Sequence, residues 1–407
     1  MNYRKTIIPL LMVAFVSCST GKQNGTPAVK GDGPIVNAGT AYTRDSEEKR
    51  SPFWATLFTR VCNESGKENI CISPLSAQLA LSMTAAGATG ETQQQMYSTM
   101  DLAGDVNAKA KETIEKLADN RHECEVNIAN SIWVNEKLDV KENFINTNKE
   151  YFNALVTTAP FNRETLQAIN GWCSDNTNGK IKSALSDINK NDRMYLINAL
   201  YFKGGWEKKF EANMTEEKPF TREDGKSIEV QMMHQEITAP YYEDEKIQIV
   251  TKDFQGLYQM QLVLPAEGIT TEEATVHLAL NYEKILREMS VYKVALSMPR
   301  FQSDFGISLK NTLKEMGMAR AFGKDAQLDG ISDEPLHIDD VFQKTFIKVD
   351  EEGAEAAAVT IIRVGALSMR QPEKRSINLD RPFIYLITNQ HCQNTPLFIG
   401  KIGNPNE

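Results

Sequence analysis

At residues 351–360 the chain reads Glu351-Glu352-Gly353-Ala354-Glu355-Ala356-Ala357-Ala358-Val359-Thr360. These residues follow segment 342–350, where apolar, β-branched and aromatic side chains occur without Gly or Pro, a pattern that predicts a strand. Alanine is depleted in strands and favoured in helices, so composition alone predicts a helix or a surface loop. A further interpretation is that the stretch leaves one conformation and enters another, in which bulky or charged side chains would clash.

The pattern of this stretch resembles the hinge of the reactive-centre loop of inhibitory serpins. In that family the loop is a protease bait that, once cut, inserts as a new strand in the centre of the main β-sheet. Side chains of a strand alternate between its two faces, and the register of the family implies a core-facing set of Ala354, Ala356, Ala358 and Thr360. Glu355 then faces outward with Ala357 and Val359. The resemblance assigns the hinge to Glu351, Gly353, Ala354, Glu355, Ala356, Ala357 and Ala358.

A second stretch, at residues 69–92, resembles the same family. It reads Asn-Ile-Cys-Ile-Ser-Pro-Leu-Ser from residue 69 and Gly-Ala-Thr-Gly-Glu-Thr from residue 87. We predict a short strand that ends at Ser73, and a helix that begins at Pro74, where the missing N–H is no loss. The resemblance implies that Ser73 and Ser76 belong to the shutter, the polar cluster beneath the main sheet that rearranges when the sheet opens.

A third stretch, at residues 195–207, is apolar without interruption from Leu196 to Phe202. This pattern predicts a central strand that is buried on both faces. In serpins this strand and the strand before Glu351 border the gap that receives the cut loop. By the same resemblance, Asn198 is the shutter asparagine and Trp206 is the tryptophan of the breach, the end of the gap where insertion begins.

The sequence departs from the family pattern at one shutter position. Serpins have a histidine eight residues before the hinge glutamate, and this chain has Gln343 there. A glutamine side chain both donates and accepts hydrogen bonds. We therefore expect the shutter network to persist without a group that titrates.

The resemblance extends over residues 51–405, with further matches at residues 296–301, at a predicted helix over 309–316, and at 379–383 and 396–405. It implies a mixed α/β (α+β) serpin fold with three β-sheets, about nine helices and an exposed reactive-centre loop at residues 351–378. We predict a single large domain over residues 51–407. A hydrophobic content of 41% and a charged content of 24% are typical of a globular protein with a large core.

The N-terminal residues combine Arg4 and Lys5 with an apolar run from Ile7 to Val16, an arrangement typical of a secretory signal. The following Ser17-Cys18 resembles a bacterial lipobox, in which Cys18 becomes the lipidated first residue. The alternative is an ordinary signal peptide with a chance cysteine. We predict a lipoprotein signal at residues 1–17, lipidated Cys18 with a flexible tether over 18–50, and export. The predicted location is the outer membrane, on its periplasmic or surface side, or the extracellular space.

No enzyme motif is present: the sequence lacks G-x-S-x-G, H-E-x-x-H, G-x-G-x-x-G and Walker patterns. Besides Cys18, the cysteines have irregular spacing that fits neither a disulfide framework nor a zinc site, and they are Cys62, Cys71, Cys124, Cys173 and Cys392. Buried free thiols are favoured over one or two bridges. We predict no enzymatic activity, cofactor or metal, and the net charge of -9 argues against nucleic acid as a partner.

The resemblance implies a suicide inhibitor of serine proteases, with cysteine proteases as an extension. The protease attacks the bait bond and forms an acyl-enzyme, and insertion of the freed loop distorts the protease before hydrolysis. The predicted partners are therefore target proteases, the membrane is contacted only through the lipid, and the inhibitor is a monomer. The alternative is a non-inhibitory serpin that acts as a binding or chaperone module, which the small residue at Ala354 disfavours.

Two counts locate the bait bond differently. Counting forward from Glu351 in the usual register gives Leu367–Ser368, whereas counting back from Leu379 gives Arg370–Gln371. The difference indicates a loop about four residues longer than usual. We favour Leu367–Ser368 as the bait bond, with Arg370–Gln371 as the alternative. Leu367 suits chymotrypsin-, elastase- or subtilisin-like proteases, and Arg370 suits trypsin-like ones.

Overall fold

The structure is a computed structural model that describes residues 51–118, 124–354, 373–390 and 395–407. The α-helices within these ranges are α1 (Phe53–Ser65), α2 (Pro74–Ala85), α3 (Gly90–Thr99), α4 (Val106–Ala118), α5 (Glu142–Phe152), α6 (Arg163–Asp175), α7 (Thr271–Glu288) and α8 (Lys310–Leu313). Shorter helical segments are the 3-10 turns Ala212–Met214 and Ala319–Phe322 and the π-helical turn Lys314–Met318. None of the helices in the described ranges is long and apolar enough to cross a membrane.

The strands of the same ranges are β1 (Ile70–Ile72), β2 (Cys124–Asn135), β3 (Leu155–Ala159), β4 (Met194–Gly205), β5 (Glu216–Thr221), β6 (Ser227–Glu243), β7 (Ile247–Asp253), β8 (Tyr258–Pro265), β9 (Ser290–Pro299), β10 (Phe301–Ser308), β11 (Asp340–Val349), β12 (Gly353–Ala354), β13 (Lys374–Asn378), β14 (Phe383–Asn389) and β15 (Phe398–Ile402). The main sheet has the order β10-β11-β12-β4-β2-β3. A second sheet has the order β1-β15-β14-β8-β7-β6-β9-β13, with β5 paired to β6.

The mixed α+β fold is confirmed, with small differences in the counts. The described strands form two hydrogen-bonded sheets where three were expected, because β6 is 17 residues long and belongs to both smaller sheets. Its first residues, 227–232, pair with β5, its middle residues, 232–241, pair with β9, and its last residues, 241–243, pair with β7. The described ranges contain eight α-helices where about nine were expected.

The predicted local elements lie close to their observed positions. β1 ends at Ile72, and α2 begins at Pro74 after the cap Ser73, whose Oγ atom accepts a hydrogen bond from the Ser76 N–H. The prediction of one regular helix over residues 309–316 is wrong, because α8 ends at Leu313 and the chain continues as the π-helical turn Lys314–Met318. Gly317 has a φ of 119° inside that turn, which breaks the helical geometry.

The centre of the main sheet is β4, and all of its residues are buried except Lys203, which is half-buried. α2 covers one face of this sheet, while α6 and the segment after it cover the other through a cluster that includes Trp133, Ile169 and Tyr195. A strand buried on both faces has few polar side chains. The shutter asparagine Asn198 is therefore exceptional within β4.

Among the described cysteines, Cys71, Cys124 and Cys173 are buried and Cys62 is half-buried. Cys62, Cys71 and Cys173 are free, and burial raises the pKa of Cys62 to about 12, of Cys71 to about 11 and of Cys173 to about 12. The Sγ atom of Cys124 lies 2.9 Å from the carbonyl oxygen of Gln255. Cys392 lies outside the described residues.

Candidate functional site

The site is the seam of the main sheet, the line along which β4 and β11 adjoin. Along most of their length these strands pair directly and in parallel, with Asp340–Phe346 opposite Tyr195–Tyr201. At the upper end β12 lies between them, antiparallel to both. The seam is therefore closed below, and its upper end already holds the first hinge residues.

The two residues of β12 have little room for any larger side chain. Gly353 has a φ of 149°, and a Cβ atom there would lie 2.7 Å from Gly205 Cα and 2.9 Å from Trp206 N. Only glycine adopts this conformation at so close an approach without strain. Ala354 is completely buried, with 0% of its surface exposed.

Three hydrogen bonds fix the turn from β11 into the hinge. The backbone N–H of Trp206 donates to the Glu352 carbonyl at 2.9 Å, and that of Phe210 donates to the Glu351 carbonyl at 3.1 Å. The indole Nε1 of Trp206 donates to the Asp350 carbonyl at 2.9 Å. The segment after β4 therefore holds three consecutive carbonyl groups at the start of the hinge.

The side chain of Glu351 ties this turn to the edge of the main sheet. Its Oε1 atom accepts hydrogen bonds from Arg300 Nε at 2.8 Å, from Arg300 Nη2 and from Thr215 Oγ1 at 2.5 Å. Burial alone would raise the pKa of Glu351, but these hydrogen bonds and the Arg300 charge outweigh it and lower the pKa. The carboxylate is thus held in its charged form.

A second polar cluster crosses the seam lower down. Gln343 lies opposite Asn198 in the strand register, and Gln343 Nε2 donates to Asn198 Oδ1 at 3.1 Å and to the Ser73 carbonyl at 2.8 Å. Gln343 Oε1 accepts from the Ser73 N–H at 2.9 Å. Asn198 Nδ2 donates to Asn130 Oδ1 at 2.7 Å and to Ser76 Oγ. These side chains are all buried.

Comparisons with known proteins assign this architecture to a family. A family model described as Serpin (serine protease inhibitor) matches residues 48–405. The chain belongs to the serpin family. It is 31% identical to human neuroserpin over 88% of this chain and 92% of that protein. Serpins generally inhibit proteases and act on their target proteases as monomers, and they are mostly not enzymes.

Solved serpin structures have the same fold. The native state of the thermophilic serpin tengpin matches with a TM-score of 0.79 and 32% identity, over 90% of this chain and 96% of that chain. Human thyroxine-binding globulin, solved in complex with its ligand, matches with a TM-score of 0.80 and 26% identity, over 88% of this chain and 97% of that chain. This backbone therefore occurs in a family described as serine protease inhibitors and also in a serpin that binds thyroxine.

The structure brings together the shutter residues Ser73, Ser76, Asn198 and Gln343, and it brings Trp206 to the hinge residues Glu351, Gly353 and Ala354. The other sequence-predicted residues of this serpin lie outside the described ranges. They are the hinge residues Glu355, Ala356, Ala357 and Ala358, the bait-bond residues Leu367, Ser368, Arg370 and Gln371, and Cys18.

Sequence reasoning missed Lys252, a buried residue beneath the breach. Its Nζ atom lies 4.9 Å from the ring centre of Trp206 and 4.5 Å from that of Phe210. It donates to the Lys208 carbonyl and to Gln235 Oε1, both at 2.7 Å. In the sequence, Lys252 could be noticed only as a lysine near the end of the apolar strand β7. A lysine at that position is also typical of a strand end that is exposed to solvent, so the sequence alone did not mark it.

Proposed function

We propose that this serpin inhibits serine proteases, and cysteine proteases as an extension, as a suicide substrate whose cut loop inserts along the seam. The observation that carries the proposal is the position of β12 between β4 and β11. Residues that continue from Ala354 in the same direction would meet one parallel strand pair, which must separate to admit them. Insertion is thus the extension of a strand that has already begun.

The change in strand pairing supplies a driving force. Insertion replaces the direct parallel contact between β4 and β11 with two antiparallel contacts, and parallel pairing is slightly less stable per residue. About a dozen additional ladder hydrogen bonds, at a net of about 0.5–1.5 kcal/mol each, amount to roughly 6–18 kcal/mol. The uncut protein is therefore metastable and persists because a kinetic barrier separates it from the inserted form.

The bait bond and the target class belong to the same proposal. We favour Leu367–Ser368, which suits chymotrypsin-, elastase- or subtilisin-like proteases, over Arg370–Gln371, which suits trypsin-like ones. The count that gives Leu367–Ser368 starts at Glu351. Hydrogen bonds to Arg300 and Thr215 fix the position of Glu351, which supports this count.

Export and lipidation at Cys18 complete the proposal. The N-terminal pattern of charge, apolar run and Ser17-Cys18 supports a monomeric inhibitor on the outer membrane, attached through its lipid, or released to the extracellular space. The measurement is mass spectrometry of the N-terminal peptide from the exporting cell. A cysteine that carries three acyl chains, two on an S-linked diacylglyceryl group and one on its amino group, is the expected result, and an unmodified terminus would remove the lipid anchor from the proposal.

The decisive experiment mixes the full-length protein with an elastase, a chymotrypsin-like protease, a subtilisin and trypsin. A covalent complex that survives boiling in detergent is the expected result, because the acyl-enzyme bond is trapped. Mass spectrometry of the released C-terminal peptide identifies its first residue, either Ser368 or Gln371. A protease inactivated at its catalytic serine is the control, since it binds the loop and forms no ester.

The alternative is a non-inhibitory serpin that acts as a binding or chaperone module. An open cavity of about 700 Å³ lined by Cys62, Thr270, Arg381 and Lys401 favours it, as does the similarity to a serpin solved with thyroxine. Loop cleavage without a complex, followed by no gain in thermal stability, would support this alternative. Cleavage that does raise the unfolding temperature would show insertion without trapping.

A further inference from the structure

Lys252 lies directly behind the residues that hold the start of the hinge. Trp206 and Phe210, the two rings over its ammonium group, are the residues whose N–H groups bind the carbonyls of residues 350–352. Trp206 in turn stacks on Phe254 with ring centres 4.3 Å apart. A change in the charge of Lys252 therefore affects Trp206 and Phe210, which hold the start of the hinge, although Lys252 itself has no hydrogen bond to the described hinge residues.

The surroundings of Lys252 fit a neutral amine as well as a charged one. A neutral amine has two N–H groups, and the two acceptors present are the Lys208 carbonyl and Gln235 Oε1. Within the described part of the chain, the third N–H of an ammonium group has only the ring faces of Trp206 and Phe210 as partners, and ring faces attract a cation weakly. Among the described residues no carboxylate lies within ion-pair distance of Lys252, which is 3% exposed.

The charged groups that act on Lys252 come from two elements. Lys208, on the segment between β4 and β5, opposes its charge, while Glu207 on the same segment and Asp253 on β7 favour it. β6 contributes only the neutral Gln235. Burial is the largest effect and lowers the pKa of Lys252 to about 7, with a further decrease from Lys208.

We propose that Lys252 is a positioning residue for loop insertion, and that gain of a proton at its Nζ atom makes the breach easier to open. The inference rests on the proposed function, because it concerns the rate at which the seam accepts the loop. When the breach opens, water reaches the amine and favours its charged form. A proton taken from solvent therefore stabilises the open breach relative to the closed one.

The direction of the pH effect follows from proton binding. Between the native pKa of about 7 and the ordinary value of 10.5, the open breach binds a proton that the closed breach does not. Spontaneous insertion should therefore be fast near pH 7 and slow by up to about tenfold per pH unit above it. The thiols of Cys62, Cys71 and Cys173 do not contribute in this window, because their pKa values of about 12, about 11 and about 12 lie above it.

The test measures how fast the uncut full-length protein acquires resistance to urea, from about pH 7 to about pH 9. The wild type should slow as pH rises, Lys252→Met should be slow at every pH, and Lys252→Arg should be fast at every pH. Lys226→Met is the matched control, because Lys226 is exposed and its one ion pair in the described ranges is with Asp224 on its own hairpin. A Lys252→Met profile with the slope of the wild type would overturn the proposal.

A second measurement tests the role of Lys252 if no inserted form is obtained or if Lys252→Arg does not fold. The free energy of unfolding of the wild type should rise over the same pH range relative to Lys252→Met, because the unfolded chain binds one more proton. Equal pH dependence of unfolding in the two proteins would overturn the role of Lys252. Absence of insertion in the wild type, even after the loop is cut, would instead contradict the proposed function.

Discussion

Gln343 and Asn198 face each other across the seam of the main sheet, and the Nε2 atom of Gln343 lies 3.1 Å from Oδ1 of Asn198. This hydrogen bond joins β11 to β4 along the line at which the proposed loop insertion would separate the two strands. Gln343 also pairs twice with the backbone of Ser73. A side chain with a donor and an acceptor thus occupies the position at which serpins commonly have histidine, and it ties the seam to the start of α2.

Replacement of Gln343 by leucine should destabilise the uncut protein. The change removes the partner of the buried Ser73 N–H and of the buried Asn198 Oδ1 atom, which costs about 1–3 kcal/mol per unsatisfied group, while the Ser73 carbonyl still accepts the Ala77 N–H. Urea unfolding should show a lower free energy, and spontaneous insertion should be faster. Gln94→Leu, at an exposed position of α3, is the control, and equal behaviour of the two variants would contradict a role in holding the seam closed.

The ion pair between Arg300 and Glu351 gives a second prediction. Arg300→Met leaves a Glu351 carboxylate whose side chain is 9% exposed, and among the described residues only Thr215 then donates a side-chain hydrogen bond to it. Loss of a charged hydrogen bond should lower the free energy of unfolding by about 1.5–3 kcal/mol. Arg287→Met, which removes an exposed pair at 3.9 Å on α7, should change it by less than about 1 kcal/mol. Denaturant titration of the two variants measures the difference.

Acid should weaken the same contact in the wild type. The pKa of Glu351 is lowered below its ordinary value of 4.5 in the folded protein, so its contribution to stability is present above pH 4.5 and is lost as the pH falls through the folded value. Glu351→Gln has no such group. Below about pH 4.5 the wild type should therefore lose stability faster than this variant, and parallel urea curves for the two proteins would contradict the prediction.

The sequence predicted the parts of the site that depend on local pattern. The apolar run of β4, the Ser73–Pro74 start of α2 and the small residues of the hinge follow from residue type and spacing. The position of Lys252 does not, because its ring partners come from the segment after β4 and its amide partner comes from β6. Contacts between residues so far apart in the chain leave no periodic signal.

Two other features were beyond the sequence for different reasons. The two smaller sheets are joined because β6 pairs with β9 along its middle and with β7 at its end. The alternation of apolar residues in β6 does not reveal which strand each part of it pairs with. The irregular end of α8 depends on Gly317, whose left-handed backbone lets the chain turn beneath Thr99. A glycine in a helical pattern has no single interpretation without that neighbour.

Gly353→Ala should displace the start of the hinge from the seam. An added Cβ atom would contact the carbonyl oxygen of Gly204 and lie 2.7 Å from Gly205 Cα, and the φ of 149° is strained for any other residue. We expect a lower free energy of unfolding and little covalent complex with a target protease. Gly171→Ala is the matched control, because Gly171 lies in α6 with open space around its Cβ position. Complex formation by Gly353→Ala equal to that of the control would contradict the fixed hinge geometry.

Ala354→Arg should convert the proposed inhibitor into a substrate. Ala354 is 0% exposed between β4 and β11, so insertion in this register buries whatever side chain stands there, and an unpaired buried guanidinium costs several kcal/mol. Slower insertion gives water time to hydrolyse the acyl-enzyme, so denaturing gels should show a cut loop and active protease in place of the complex. Ala357→Arg is the matched control, because the hinge register predicts that residue 357 faces outward. Stable complexes from Ala354→Arg at the level of Ala357→Arg would mean that the loop does not insert in this register.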